Sequence, residues 1–158
     1  MIIIVFKTLL VLVIAAFLAG FLRTLQIEHG TQAEAFRKGT APNPPLDGLY
    51  AGTVPGYSTS WLGKKFDEKN ALGINKFSEG SITAEKYPFK TSVGTGVRIA
   101  SDVLKIDYNL PENPFWLRAV LDEVVQTGPG KYLGKLELRI VPGYPFSILY
   151  FELENKTI

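Results

Sequence analysis

The sequence predicts a mainly β fold with one N-terminal transmembrane helix, its sheet closing into an antiparallel barrel or half-barrel of five or more strands. Three observations predict it. The first twenty-two residues, MIIIVFKTLLVLVIAAFLAGFL, form an apolar run broken only by Lys7. Beyond residue 45 the chain breaks into short strand-like runs separated by turns containing Gly and Pro. One segment, 114–127, departs from that pattern with apolar residues at helical spacing, so one amphipathic helix is expected to cover the sheet.

At about 1.5 Å per residue the leading run covers about 33 Å, against a hydrocarbon core of about 30 Å, and Lys7 lies close enough to one end to snorkel. Thr8 to Leu22 also fits the apolar region of a signal peptide, with cleavage after Gly20. Against cleavage, Phe21, Leu22, Leu25 and Ile27 continue the apolar character, and no Ala-x-Ala triplet closes the run. The run is therefore read as a retained single-pass anchor, or an uncleaved signal, that tethers the rest to a lipid bilayer. Lys7 and the amino group on one side nearly balance Arg23, Arg37 and Lys38 on the other, leaving only a slight lean toward an extracytoplasmic domain. The absence of cysteine excludes a lipidated Cys anchor, disulfides and zinc–thiolate sites.

The expected organisation is an anchor over 1–22, a stalk and Pro-rich linker over 23–45, and a β-rich globular domain over 46–158. The stretch RTLQIEHGTQAEAFRK reads as a frayed helical stalk, and GTAPNPPLD, with three prolines, as an extended linker. The 113 residues of 46–158 are enough for one hydrophobic core. Formal net charge is +2 with both signs interspersed, so no basic stripe for nucleic acid exists. Lysine pairs such as Lys64-Lys65 read as solvated.

Leu49 to Val54 and Trp61 to Phe66 flank Pro55-Gly56-Tyr57-Ser58 and read as the arms of a hairpin. Lys86 to Val93 and Val103 to Tyr108 are further strands. In Lys131 to Val141, Tyr132, Gly134, Leu136, Leu138 and Ile140 alternate with Lys131, Lys135, Glu137 and Arg139, the pattern of a strand with one buried face. Phe146 to Leu153 returns, apolar on both faces and therefore covered on both sides or close to the membrane. In 114–127, Asn113-Pro114 reads as a helix start and Gly128-Pro129-Gly130 as its stop. Trp116, Val120 and Val124, and likewise Leu117, Leu121 and Val125, recur at i, i+4, with Arg118 near Asp122 on the opposite side.

Val-Pro-Gly-Tyr occurs at 54–57 and again at 141–144, and aromatic-Leu-Gly-Lys at 61–64 and 132–135, in opposite orders. This indicates shared hairpin chemistry rather than a duplication. The glycines after Trp61 and Tyr132 suit a close approach within the sheet.

The single histidine, His29, lies in the stalk, so neither a Ser-His-Asp nor a Cys-His mechanism has its parts. Gly94-Thr95-Gly96 lacks a third glycine and is a turn, not a dinucleotide fingerprint. No cofactor motif or acidic metal loop is present. Asp107, Tyr108, Asp122 and Glu123 are the one acid-rich group, read as a structural charge cluster with Arg118 in preference to a catalytic dyad. Asn155-Lys156-Thr157 matches a glycosylation acceptor by pattern alone.

Seven Tyr, ten Phe and two Trp point to an aromatic interior. Tyr50, Trp61, Phe89, Tyr132 and Tyr150, with Arg98 and Arg139 as polar tips, are the candidate ligand-binding residues if that interior is hollow. A filled core uses the same residues. Gly48-Leu49-Tyr50 opens the first strand after a helical and Pro-rich lead-in, several hairpins follow, and a helix precedes the closing strands. In these features the chain resembles the lipocalin-like (calycin-type) barrels, whose first strand carries Gly-x-Trp. Tyr stands here in place of Trp, and the helix precedes the last two strands. The resemblance implies binding of lipophilic molecules and carries over no functional residue. The expected function is thus a membrane-anchored β-rich domain that binds a lipid or other apolar ligand near the bilayer; the alternative is a non-catalytic envelope scaffold with a filled core.

Overall fold

A computed structural model describes residues 2–155. Met1 of the expected anchor, and Lys156 and Thr157 of the acceptor triplet, lie outside the described residues. Two helices, α1 (Ile2–Glu28) and α2 (Thr31–Lys38), precede eight strands: β1 (Gly48–Thr53), β2 (Trp61–Asp67), β3 (Leu72–Glu79), β4 (Ile82–Thr95), β5 (Asp102–Asp107), β6 (Val120–Gly128), β7 (Lys131–Leu138) and β8 (Phe146–Asn155). Each strand pairs antiparallel with the next, and β8 pairs back onto β1, from Tyr50 opposite Asn155 to Thr53 opposite Glu152. Closure removes the free edges that a sheet this size would otherwise present.

The up-and-down order puts the β1–β2, β3–β4, β5–β6 and β7–β8 connections at one end and the other three at the opposite end. The two ends differ. At the second end residues 40–47 cross the barrel, Thr40 bridging Gln126 and Ala41 N–H donating to Asp102 O, and Leu46 is buried in the interior cluster. Tyr50, Phe66, Phe89 and Tyr132 fill this half, their rings meeting edge-on at 5.5 Å in the Tyr50–Phe66, Tyr50–Tyr132 and Phe66–Phe89 pairs. The first end stays open.

The expected helix over 114–127 is not formed. One 3₁₀ turn, Leu117–Ala119, leads into β6, and Asn113 caps no helix; its amide donates to Pro88 O and Tyr108 O. The reason is periodicity: an i, i+4 row is also a multiple of the strand period of two, so Val120 and Val124 line the interior while Leu121 and Val125 face outward. Arg118 does not pair with Asp122; it donates to Asn113 O and Pro111 O.

The cover is supplied by the chain before the barrel. α1 lies along β8, with Phe17 and Gly20 at Phe146, Thr24 Oγ1 accepting from Ser147 N–H at 3.0 Å, and Ile27 beside Tyr150. The stretch expected as a stalk is therefore helical and packed: Ala33 and Phe36 of α2 are buried against β6 and β7. This burial extends to the polar-looking face of β7, where Lys135 and Glu137 are fully buried. Both faces of β8 are covered, as its apolar sequence requires.

The two Val-Pro-Gly-Tyr echoes form the same turn. Tyr57 N–H donates to Val54 O at 3.0 Å and Tyr144 N–H to Val141 O at 3.1 Å, with φ of +80° at Gly56 and +75° at Gly143. Pro at the second position and a positive-φ Gly at the third define a type II turn.

Candidate functional site

Each element delivers side chains to the open half of the barrel by strand alternation. β2 sends in Trp61 and Lys64, β3 Asn75 and Phe77, β4 Tyr87, β6 Val120 and Asp122, β7 Leu136, and β8 Leu149 and Phe151. Val54, Thr59, Trp116 and Leu117 frame the mouth. They enclose a cavity of about 280 Å³ whose walls are aliphatic and aromatic, close to the lower end of the range of about 300–1,000 Å³ for ligand pockets. Gly134 makes the far wall possible: a Cβ there would lie 2.1 Å from Phe151 Cζ, so only glycine lets that ring lie against β7. A Cβ on Gly63 would lie 2.0 Å from Tyr50 O, so both sequence-identified glycines stand at close approaches.

The floor is polar. Lys64, expected at the surface, has a side chain only 3% exposed. Its three N–H groups are all engaged, by Asp122 Oδ2 at 2.9 Å, Asn75 Oδ1 at 3.0 Å and the Tyr108 hydroxyl. Trp61 Nε1 donates to Asn75 Oδ1 at 3.0 Å, Asn75 Nδ2 donates to Tyr87 O and to Tyr108 OH, and Tyr108 OH donates to Asp122 Oδ2 at 3.2 Å. The ring centroids of Trp61, Phe89, Tyr108 and Phe151 lie 5.1–5.4 Å from the ammonium nitrogen, a cation–π cage that offsets part of the lost hydration. One atom of this floor is left over: Asp122 Oδ1 is buried and has no hydrogen-bond partner.

Burial pushes the Lys64 ammonium below its ordinary value, opposed by the Asp122 carboxylate. Burial and the same carboxylate push the Tyr108 hydroxyl well above its own, so it remains protonated and available as a donor. With all three ammonium hydrogens committed, Lys64 offers nothing to a ligand carboxylate. Asp122 Oδ1 is the one acceptor of this floor without a partner, and it is itself covered.

Of the seven sequence-chosen residues, Trp61 alone lines this cavity. Tyr50, Phe89 and Tyr132 belong to the packed half below it. Tyr150 lies outside the barrel against Phe36, at 5.7 Å between centroids. Arg98 stacks on Tyr144 at 4.9 Å and faces Ser147, and Arg139 forms a two-point pair with Asp107 at 2.5 and 3.1 Å. The acid-rich group splits, with only Tyr108 and Asp122 meeting, at 3.2 Å inside the barrel. Asp122 points inward, Glu123 outward, and Asp107 is held by Arg139. Lys64, in the pair Lys64-Lys65, and Asn75 are not legible as site residues because Lys or Asn in a strand reads as solvent-facing; the alternation Lys64, Phe66 on one face of β2 is the signal that places Lys64 inside.

A second buried polar cluster lies outside the barrel, beneath α1. Lys135 Nζ bonds Glu28 Oε1 at 2.7 Å and Glu137 Oε1 at 3.1 Å, and Ser147 Oγ donates to the Glu28 and Glu137 carboxylates. Glu123 accepts from Val97 N–H, and its Oε2 has no partner. Burial raises the Glu123 and Glu137 carboxyls, opposed by Val97 N–H and Lys135 for the first and by Lys135 and Ser147 for the second. This cluster fastens α1 to the barrel. A further depression of about 320 Å³ between α2 and the ends of β7 and β8 has charged walls that include Lys131, Glu152 and Glu154. Among the described residues no group of three or more metal-ligating side chains occurs.

Fold and site together define a class: a closed eight-stranded antiparallel barrel, lipocalin-like at the level of architecture, packed against an N-terminal apolar helix long enough to cross a membrane. No family model matches the chain, and no curated protein or solved structure matches it either.

Proposed function

We propose that this protein is a membrane-anchored binding barrel whose cavity takes a small, mainly apolar molecule, lipid or lipid-derived, that ends in a hydrogen-bond donor such as a hydroxyl. The observation that carries this reading is a cavity of about 280 Å³ with aliphatic and aromatic walls over a polar floor, in which one carboxylate oxygen, Asp122 Oδ1, is covered and has no partner, so that a small shift of the floor would present it to a ligand donor. A buried acceptor left unsatisfied costs about 1–3 kcal/mol, so a ligand that donates to it gains what an alkane cannot. A ligand carboxylate would meet a second negative charge and no free donor, and is disfavoured. α1 supplies the anchor: its window of membrane-spanning length is wholly exposed outside the barrel contact.

The test is a titration of the full chain in phosphatidylcholine nanodiscs with decanol, decane and decanoate, read by the fluorescence of Trp61 in a Trp116→Phe background. Decanol is expected to bind tightest. Leu136→Phe, which fills the cavity without touching its floor, is expected to abolish the response. Equal responses to all three ligands, or a response unaltered by Leu136→Phe, would remove the reading and favour the filled-core scaffold.

A further inference from the structure

The direction of α1 relates the mouth of the barrel to the membrane. From Gly20 to Ile27 α1 descends alongside β8 from Phe146 to Tyr150, so its N-terminal part projects beyond the end of the barrel that carries the β7–β8 connection. That is also the end where the cavity opens, framed by the β1–β2 and β5–β6 connections.

The depth of that end follows from length. With Lys7 snorkelling, the apolar run of α1 from Ile2 to Leu22 covers about 32 Å at 1.5 Å per residue. A hydrocarbon core is about 30 Å thick. Almost none of that run can be spared, so its last residues, Phe17 to Leu22, belong to the membrane boundary. These residues already touch the barrel: Phe17 packs on Phe146 at 5.5 Å between centroids and Phe21 on Tyr144 at 6.2 Å. The rim must therefore lie at the boundary too.

The rim has the composition for it. Each of the four connections at this end carries or adjoins an exposed large apolar side chain: Tyr57 (64%), Ile82 at the start of β4 (64%), Phe115 (84%) with Trp116, and Ile140 (59%). The opposite end presents Glu68, Lys69 and Asn70 on its β2–β3 turn. Elsewhere on the strands the exposed large apolar residues Leu62, Leu72 and Val93 are scattered. Amphipathic aromatics at such a level are the usual signature of a membrane interface.

We propose that this rim docks into the interface of the membrane that α1 crosses, so that the cavity opens into lipid and its ligand exchanges with the bilayer without passing through water. The proposal rests on the anchoring role given to α1 above but not on the identity of the ligand. Because the chain has no cysteine, single labels are unambiguous. Full-length Leu12→Cys, Phe115→Cys and Lys69→Cys, each carrying one environment-sensitive fluorophore, are reconstituted in phosphatidylcholine vesicles containing lipid with a nitroxide on its acyl chain. The labels at 12 and 115 are expected to lose most of their emission, and the label at 69 none. Quenching at 12 but not at 115 would overturn the proposal while the anchor stands. No quenching at 12 would overturn both. A label at 115 shielded only in native membranes, not in these vesicles, would indicate a protein partner for the rim and would also overturn it.

Discussion

Lys64 and Asp122 face each other across the barrel interior at 2.9 Å, with both side chains almost wholly removed from water. Removing one partner of a buried pair strands the other charge and costs about 3–5 kcal/mol, whereas replacing both by apolar groups is often neutral or stabilising. Lys64→Met is therefore expected to lose about that much, and Lys64→Met with Asp122→Leu to recover most of it in guanidinium unfolding. The double variant is also expected to lose the preference for decanol over decane. A double variant that folds and keeps the preference would show that Asp122 does not select the ligand.

The Gly134–Phe151 contact predicts a second outcome. Gly134→Ala puts a methyl group into the ring of Phe151 and forces it into the cavity. Overpacking of this kind costs about 1–3 kcal/mol, and the displaced ring also shrinks the binding space. A lowered unfolding midpoint together with weakened decanol binding is expected. An unchanged midpoint would mean that the wall yields freely.

Glu123 and Glu137 set a pH dependence. Both carboxyls are raised in the folded state by burial, Glu123 with one oxygen unpartnered. The folded chain then holds protons more tightly than the unfolded one, so their contribution to stability is greatest below the ordinary glutamate value and declines as pH rises through the raised values. Asp107 acts in the opposite sense. Burial alone would raise its carboxyl, but the Arg139 guanidinium and Asn109 N–H hold it below the usual range, and this contribution is lost only as pH falls through that lowered value. Glu123→Gln is expected to flatten the decline between mildly acidic and neutral pH, measured as Tm against pH. A steeper decline in that variant would contradict the assignment.

The sequence makes the barrel legible where strand and turn signals agree. In β7 the alternation is plain, and the Val-Pro-Gly-Tyr turns mark the hairpins of β1 with β2 and of β7 with β8. It misleads in β6, where i, i+4 spacing serves both a helix and a strand. There Val120, Val124, Val125 and Thr127 are the better guide, because branching at Cβ favours strands. β3, LGINKFSE, is hidden because two of its three inward positions, Gly73 and Asn75, serve the Phe89 ring and the polar floor, and only Phe77 is apolar. The site was the least legible part, since its central residues look like surface residues until the barrel closes around them.

Phe36 tests whether the segment before the barrel belongs to its fold. The ring is 1% exposed, packs 5.7 Å from the Tyr150 centroid and lies 4.7 Å from Lys135 Nζ, so it covers both an apolar patch and a buried cation. Phe36→Ala is expected to destabilise the domain by about 3–5 kcal/mol, the usual cost of such a truncation in a core. A chain beginning at residue 40 would expose Val125, Leu133 and Tyr150 together with Lys135 and Glu137, and is expected to aggregate when a chain beginning at residue 23 does not. If the shorter chain instead unfolds at the same guanidinium concentration as the longer one, then α2 is a tether and the barrel is complete without it.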